Sequence, residues 1–398
     1  MIYFCVLILL CVCVLVYDLN GSTKYNELFY WATFLFLTCI AGFRYRLGID
    51  TIAYMQIFES EIPLLSNFLY YYKMDILPFE IGSSFIFSLG KTLSDSWDFT
   101  QFLIAIITNV SIFTFAYKNS DYKFTFILLY FIFLFFDLNY ETLRQALALS
   151  IALYAFQYLK TKSYLLYYTL STLAISCHIV ALMLLIIPWL QIQFNKKVLI
   201  ILSISIFLTS SIIWALSENA VSFIDSLGIE YLTNKTTGYL TGSWALDEAG
   251  INSNWKGWLM SFILLPLQCI LLIFCVKTNS SIATHKFLTP FFLLWCILIP
   301  IQKILPVTYR FVEFIYPFIF LVFAEIIITT LKNKYSYRHF ALCILIMIFL
   351  YSRVYQRFFT IDSIRHSQPR LVSCYPYANT FTKENNDKRE IYYREVGR

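Results

Sequence analysis

Twelve apolar runs follow one another along this chain, at roughly 2–17, 28–43, 99–117, 123–138, 141–159, 164–176, 179–190, 197–216, 256–276, 287–304, 310–331 and 339–356. A helix needs about 20 apolar residues to cross a bilayer, and fewer when packed inside a bundle. In lipid every backbone N–H and C=O must be satisfied within the segment, so the runs read as helices. Hydrophobic residues make up 59% of the chain and charged residues 14%, against about 25% charged in a soluble domain. The fold class implied is an all-α polytopic integral membrane protein of about 12 transmembrane helices, one membrane-embedded domain over 1–398. The runs 164–176 and 179–190 are short enough to be one long helix instead. The run directly after Met1 has no basic stretch and no small-residue cleavage site, so it reads as a retained first helix.

That composition also narrows the function. The net charge of +6 comes from bases scattered singly between apolar runs, not from a basic stripe, so no nucleic-acid partner is expected. Nine of the ten cysteines lie in apolar runs and behave as small hydrophobes; Cys374 alone sits in a polar segment. Neither a disulfide framework nor a CxxC metal spacing follows. The chain has no DxD, GxSxG, HExxH, Walker loop or GxGxxG. No cofactor and no metal are expected, and the lack of a nucleotide site counts against ATP-driven transport.

Lysines and arginines are sorted by side. The six alternate gaps 18–27, 118–123, 160–163, 191–197, 277–286 and 332–338 hold 12 basic residues, 11 of them Lys, against three acids. By the positive-inside rule these gaps face the cytoplasm and both termini face out. The long segments 44–98, 217–255 and the tail 357–398 are then extracytoplasmic. The stretch 77–91 is short, follows Pro78 and carries Glu80 and two glycines. It reads as a re-entrant or interfacial helix on the outer face, with a true span as the alternative.

Bases near the outer surface are largely Arg: Arg44, Arg46, Arg144, Arg310, Arg353 and Arg357. Topology needs only positive charge, whereas a planar guanidinium fork holds phosphate bidentately. The arginines therefore point to a pocket for a phosphate or diphosphate headgroup of a lipid-linked substrate; snorkelling anchors are the plain alternative. Arg44, Tyr45, Arg46, Gly48, Asp50, Thr51 and Tyr54 form the densest group. Asp50 and Thr51 there also suit the cap of a helix that puts Tyr54 one turn on. At Asn139–Gln145, Glu141 and Arg144 are spaced i,i+3 and read as a helical ion pair facing protein or water, with Gln145 beside them. Arg310 and Glu313 repeat that spacing. His178 is the histidine on the outer side within the membrane body, a packing residue or the readiest general base.

Arg44-Tyr45-x-x-Gly48-x-Asp50-Thr51-x-x-Tyr54 resembles the RYxxGxDTxxY signature of the EpsG/Wzy-type polysaccharide polymerase family. The Pro-Phe-Glu-Ile-Gly stretch at 78–82, Leu-Arg-Gln-Ala at 143–146, the helix with His178, Arg310 and Pro376-Tyr377-x-Asn379 are similar too. The stretch at 78–82 departs from an expected acid-Pro-Gly, which leaves Glu80 without an assigned role.

The resemblance implies a metal-independent glycosyltransferase of the bacterial inner membrane, its active face periplasmic, that polymerises O-antigen or a related surface polysaccharide. The growing glycan would pass from undecaprenyl diphosphate to the non-reducing end of another undecaprenyl-diphosphate-linked repeat unit. Partners would be that lipid-linked oligosaccharide, membrane lipid and a polysaccharide chain-length regulator. Arg44, Arg144 and Arg310 would hold the diphosphate, with Arg46, Tyr45, Tyr54 and Gln145 binding substrate; His178, or else Asp50, would be the base. Outer-loop aromatics such as Trp244, Trp255 and Trp258 offer faces for sugar rings. A lipid-linked oligosaccharide flippase is the alternative, and a membrane sugar acyltransferase the third reading. A flippase should carry charge along a deep cavity and show two related halves, and neither is visible here.

Overall fold

A computed structural model describes residues 2–190, 288–301, 308–332, 337–359 and 368–395. Among these the chain is helical without a β-strand. The helices are α1 (Ile2–Cys13), α2 (Asn26–Gly42), α3 (Thr51–Ser60), α4 (Phe68–Lys73), α5 (Ile81–Ser94), α6 (Trp97–Asn119) and α7 (Lys123–Phe133). They continue with α8 (Leu143–Lys160), α9 (Tyr164–Cys177), α10 (Thr289–Ile301), α11 (Tyr309–Lys332), α12 (Tyr337–Phe358) and α13 (Asp387–Glu395). The expected spans at 197–216 and 256–276, and the three outer-loop tryptophans, lie outside the described residues. Three described segments are long and apolar enough to cross a membrane by themselves: Ile2–Leu19, Trp97–Asn119 and Tyr309–Lys332.

Two compact units divide the chain. One holds Met1–Ile186, Phe323–Lys332 and Leu350–Arg398; the other holds Ile187–Val322 and Asn333–Phe349. In the second unit Phe291 of α10 stacks on Phe318 of α11 at 3.7 Å, beside the fully buried Trp295.

α8 is the centre of the first unit, packed on α6 and α9, while α6 also carries α2 and α5. The sequence explains why. Ala146, Ala148, Ser150, Ala152 and Ala155 give α8 small buried positions that let neighbouring backbones come close. α1 differs: of its residues only Val6, Leu10 and Cys13 are buried, so most of its surface is left for lipid.

Between the runs 123–138 and 141–159 the break is longer than the sequence pattern implies. α7 stops at Phe133, and Asp137–Glu141 forms a π-helical turn before α8 starts. A closed polar circuit pins that turn. Asn109 Nδ2 donates to Asn139 Oδ1 (3.0 Å), Tyr130 Oη donates to Asn109 Oδ1 (2.9 Å), and Asn139 Nδ2 donates to Tyr130 Oη (2.7 Å). All three side chains are buried, and within the circuit each finds a partner for its polar groups. The short runs 164–176 and 179–190 are two segments. α9 ends before His178, and a 3₁₀ helix (Ile179–Leu190) turns back so that Tyr167 Oη donates to the Leu184 carbonyl at 2.8 Å.

Contacts collect the gaps at two ends. At the lysine-rich end, Asp18 Oδ2 accepts from Thr125 N (2.6 Å) and Thr125 Oγ1 (2.7 Å), supplying the cap that α7's first turn lacks. Lys123 pairs with Glu27 at 3.3 Å, Lys160 donates to Asn119 at 3.0 Å, and Lys332 lies 5.2 Å from the Tyr122 ring. At the arginine-rich end, Gln101 in the first turn of α6 donates to the carbonyls of Gly42 and Arg44 at 2.8 and 2.9 Å.

α5 belongs wholly to the arginine-rich end. A Cβ on Gly82 would lie 2.4 Å from Ser176 Oγ in the last turn of α9, and one on Gly90 would lie 2.3 Å from Thr100 Oγ1 in the first turn of α6. A helix whose two ends touch the same end of the bundle does not cross it. Both ends of α5 pack at the arginine-rich end, the arrangement that the interfacial reading of 77–91 expects.

Candidate functional site

Arg44, Gly48 and Thr51 each fix the turn at 44–54, around which the rest of the first unit closes. Arg44 is 1% exposed. Its Nη1 donates to the Ala41 carbonyl at 2.7 Å and its Nε to the Leu47 carbonyl at 3.3 Å, while the guanidinium sits 4.8 Å from the Tyr140 ring centroid. Burial pushes this guanidinium down to about 10, so it is still a cation at neutral pH. Gly48 has φ +101°, and a Cβ there would meet the Tyr140 carbonyl oxygen at 2.5 Å. Thr51 Oγ1 donates to the Leu47 carbonyl (2.6 Å) and the Tyr140 carbonyl (3.1 Å), tying the turn to the π-helical segment. Asp50 occupies the N-cap position of α3, yet its side chain makes no capping bond.

The tail clasps this turn. Arg44 and Asn379 form an isolated antiparallel bridge, Tyr45 N donates to Ala378 O (2.9 Å), and Gly48 N donates to Ser373 O (3.0 Å). Arg46 makes a bidentate pair with Glu390 of α13 at 2.9 and 3.2 Å, and Tyr393 Oη donates to the Arg46 carbonyl at 2.8 Å. Arg389, 1% exposed, donates to the carbonyls of Val372 and Pro376, and burial lowers its pKa. Arg370 pairs with Glu141 at 2.5 Å.

A second cluster opens to solvent beside the first. Arg144, at the start of α8, is the one half-buried position in the otherwise buried stretch 141–150. Its Nη1 meets Glu80 Oε2 at 2.5 Å, its guanidinium lies 4.7 Å from the Phe79 ring centroid, and it hydrogen-bonds the Tyr54 side chain. Tyr54 in turn is held among Phe79 (5.6 Å), Phe87 (5.9 Å) and Trp97 (6.3 Å, stacked). The close packing of Gly82 on Ser176 and Cys177 brings the start of α5, and with it Glu80, against the end of α9.

The structure thus joins Arg44, Tyr45, Arg46, Asp50 and Tyr54 in one turn, with Arg144 reaching Tyr54 from α8. The expected i,i+3 pair of Glu141 with Arg144 is a correction: Glu141 takes Arg370 and Arg144 takes Glu80. The π-helical turn places Glu141 before the first turn of α8 rather than inside it, so helical spacing does not apply to the two. Gln145 is fully buried. His178 closes α9, is 4% exposed, and accepts the Val180 N–H on Nδ1 at 3.2 Å. Arg310 opens α11 in the other unit, donating from Nε to Tyr309 Oη at 3.2 Å; Glu313 is buried one turn on.

Sequence patterns gave no role to Glu80, Arg370, Arg389, Glu390 or Tyr393. Their partners lie 64 to 344 residues away for the pairs with Arg144 and Arg46, beyond any local spacing rule. Among the described residues no three His, Cys, Asp or Glu side chains gather where they would hold a metal ion. What the cluster offers chemically is a partly exposed planar cation, a carboxylate paired with it, and a phenol that also contacts the cation.

A family model described as the EpsG family matches residues 27–378. No curated relative and no solved structure matches the chain.

Proposed function

The chain belongs to the EpsG family, and from that premise we propose that it is a membrane glycosyltransferase that polymerises O-antigen or a related surface polysaccharide. The donor is a growing glycan on undecaprenyl diphosphate, and the acceptor is the non-reducing end of another undecaprenyl-diphosphate-linked repeat unit. The protein sits in the bacterial inner membrane with its arginine-rich end in the periplasm, and a chain-length regulator works beside it.

The observation that carries the reading is the match across 27–378, which takes in the turn at 44–54, the Glu80–Arg144 cluster and the start of the tail. The chemistry is consistent with it. A lipid diphosphate leaving group carries its own driving force, so the step asks the protein for charge stabilisation and a base rather than a nucleotide. Arg144 is the guanidinium open to such a headgroup, flanked by Tyr54 and the Phe79 ring. Arg310, at the start of α11, donates to Tyr309 Oη within its own unit. Arg44 acts as a positioning residue: both of its donated bonds end on backbone carbonyls of its own turn. Tyr45, Arg46 and Gln145 bind or frame the substrate from the turn and from α8, and Asp50 and His178 are acceptor-side groups.

Deleting the gene and running surface polysaccharide on a gel tests the proposal. A single repeat unit in place of the ladder supports a polymerase. Complete loss of repeats, with lipid-linked units held on the cytoplasmic side, would assign a flippase instead, and an unchanged ladder would remove both.

A further inference from the structure

We propose that Glu80 is the catalytic base of this glycosyl transfer, and that the donor's diphosphate frees it by taking Arg144. The inference rests on the polymerase reading above.

Glu80 stands at the N-cap position of α5, where a carboxylate ordinarily accepts an N–H from its own helix. Here it makes no such bond. Its main-chain carbonyl accepts the first helical bond from Ser84 N (2.9 Å) and a bond from Ser83 Oγ (2.9 Å). The carboxylate is turned toward Arg144, at 2.5 Å. That orientation gives up a capping interaction for a pair across two elements.

The pair is accessible. Side-chain exposure is 25% for Arg144 and 29% for Glu80, whereas Arg44 and Arg389 are 1% exposed. The guanidinium has Phe79 at 4.7 Å and the Tyr54 side chain as a further partner, so it stays in place when Glu80 leaves it. Of the two other candidate bases, His178 and Asp50, the histidine is less suited. A neutral imidazole has one acceptor nitrogen; in His178 that is Nδ1, which takes the Val180 N–H.

The exchange follows from ordinary phosphate recognition. A diphosphate offers Arg144 two oxygens in bidentate geometry and more charge than a carboxylate, and so displaces Glu80. The freed carboxylate takes the proton from the acceptor sugar hydroxyl. That oxygen bonds to the donor's anomeric carbon, and the bond from this carbon to the diphosphate oxygen breaks. The electron pair leaves with the lipid diphosphate, beside Arg144. Glu80 then gives its proton to water, and the pair re-forms. Holding the base until the donor arrives couples deprotonation to a loaded site.

The test uses the full-length protein in membranes of a strain deleted for the gene, with Glu80→Gln, Glu80→Asp and Arg144→Gln. Glu80→Gln keeps the shape and loses the base. We expect a loss of about 10²–10⁴-fold in polymerisation rate, with undecaprenyl diphosphate bound as tightly as by wild type or more so. Glu80→Asp keeps a carboxylate and retains part of the activity, which also covers the case in which the Gln variant does not fold. Arg144→Gln loses undecaprenyl diphosphate binding. Polymerisation by Glu80→Gln within a few-fold of wild type would overturn the base assignment, and so would equal losses in the Asp and Gln variants. Loss of undecaprenyl diphosphate binding in Glu80→Gln would make it a binding residue and overturn the exchange. If instead the wild-type gene fails to restore a ladder to the deletion strain, the polymerase reading itself fails.

Discussion

Arg46 and Glu390 meet in a bidentate pair at 2.9 and 3.2 Å although 344 residues separate them. Their side chains are 27% and 29% exposed, so solvent screens the pair and its worth is about 0.5–1 kcal/mol rather than that of a buried bridge. Its role is to fix α13 over the turn at 44–50. Glu390→Arg should lower the thermal unfolding temperature of the detergent-solubilised protein and shorten the polysaccharide ladder. Adding Arg46→Glu should recover most of both. If the two single effects simply add in the double variant, the pair holds nothing together.

Gly48 is the position in the motif with least freedom. Its φ is +101°, and a Cβ would stand 2.5 Å from the Tyr140 carbonyl oxygen, a main-chain atom that cannot swing aside. Gly48→Ala should cost about 2–4 kcal/mol from strain and displacement and should remove polymer while membrane insertion persists. Gly21, φ +70° with nothing within 4 Å, is the control. Gly21→Ala carries backbone strain without a clash, so its loss in unfolding temperature should be clearly smaller. Equal losses would mean that the approach to Tyr140 is unimportant.

Arg44→Lys preserves charge and removes geometry. The guanidinium donates in two directions, to Ala41 and Leu47, and lies over Tyr140. An ammonium on a shorter stem satisfies one of these at best. About 2–3 kcal/mol of stability should go with the lost charge-assisted bond and ring contact. Limited proteolysis should then cut the turn or the tail before the helices. A variant as protease-resistant as wild type, yet inactive, would mean that Arg44 meets the substrate directly and not through the turn.

How much of this was legible differs by kind of interaction. The class of fold followed from twelve apolar runs, and the sorting of Lys from Arg foretold which gaps would meet: Asp18 with Thr125 and Lys123 with Glu27 at one end, Gln101 with Gly42 and Arg44 at the other. The motif at 44–54 was legible as a unit because its residues are consecutive. Partner choice was not. Pairing Glu141 with Arg144 assumed an unbroken helix, and the break comes from Asn109, Tyr130 and Asn139 closing a circuit between segments. Glu80 stood within Pro-Phe-Glu-Ile-Gly without an assigned role, and its partner Arg144 lies 64 residues away. The clasp by Arg389, Glu390 and Tyr393 comes from a charged C-terminal helix that looks, in sequence, like an ordinary solvated tail.

The placement of α5 makes a topological prediction. Its 14 residues extend about 21 Å at 1.5 Å per residue, short of the roughly 30 Å of hydrocarbon. Gly82 packs on the end of α9 and Gly90 on the start of α6, so both ends of α5 lie at the arginine-rich end of the first unit. Asp75 and Asp95 flank the helix and are exposed. Asp75→Cys and Asp95→Cys, each in a background with the native cysteines replaced by serine or alanine, should therefore react with a membrane-impermeant maleimide at similar rates from the same side. On the sorting of charges that side is the periplasm. Lys118→Cys and Lys162→Cys, from the lysine-rich end, should react only after the inner membrane is permeabilised. Labelling of Asp75→Cys and Asp95→Cys from opposite sides would make α5 a span, reverse the parity of every later segment, and separate Glu80 from Arg144.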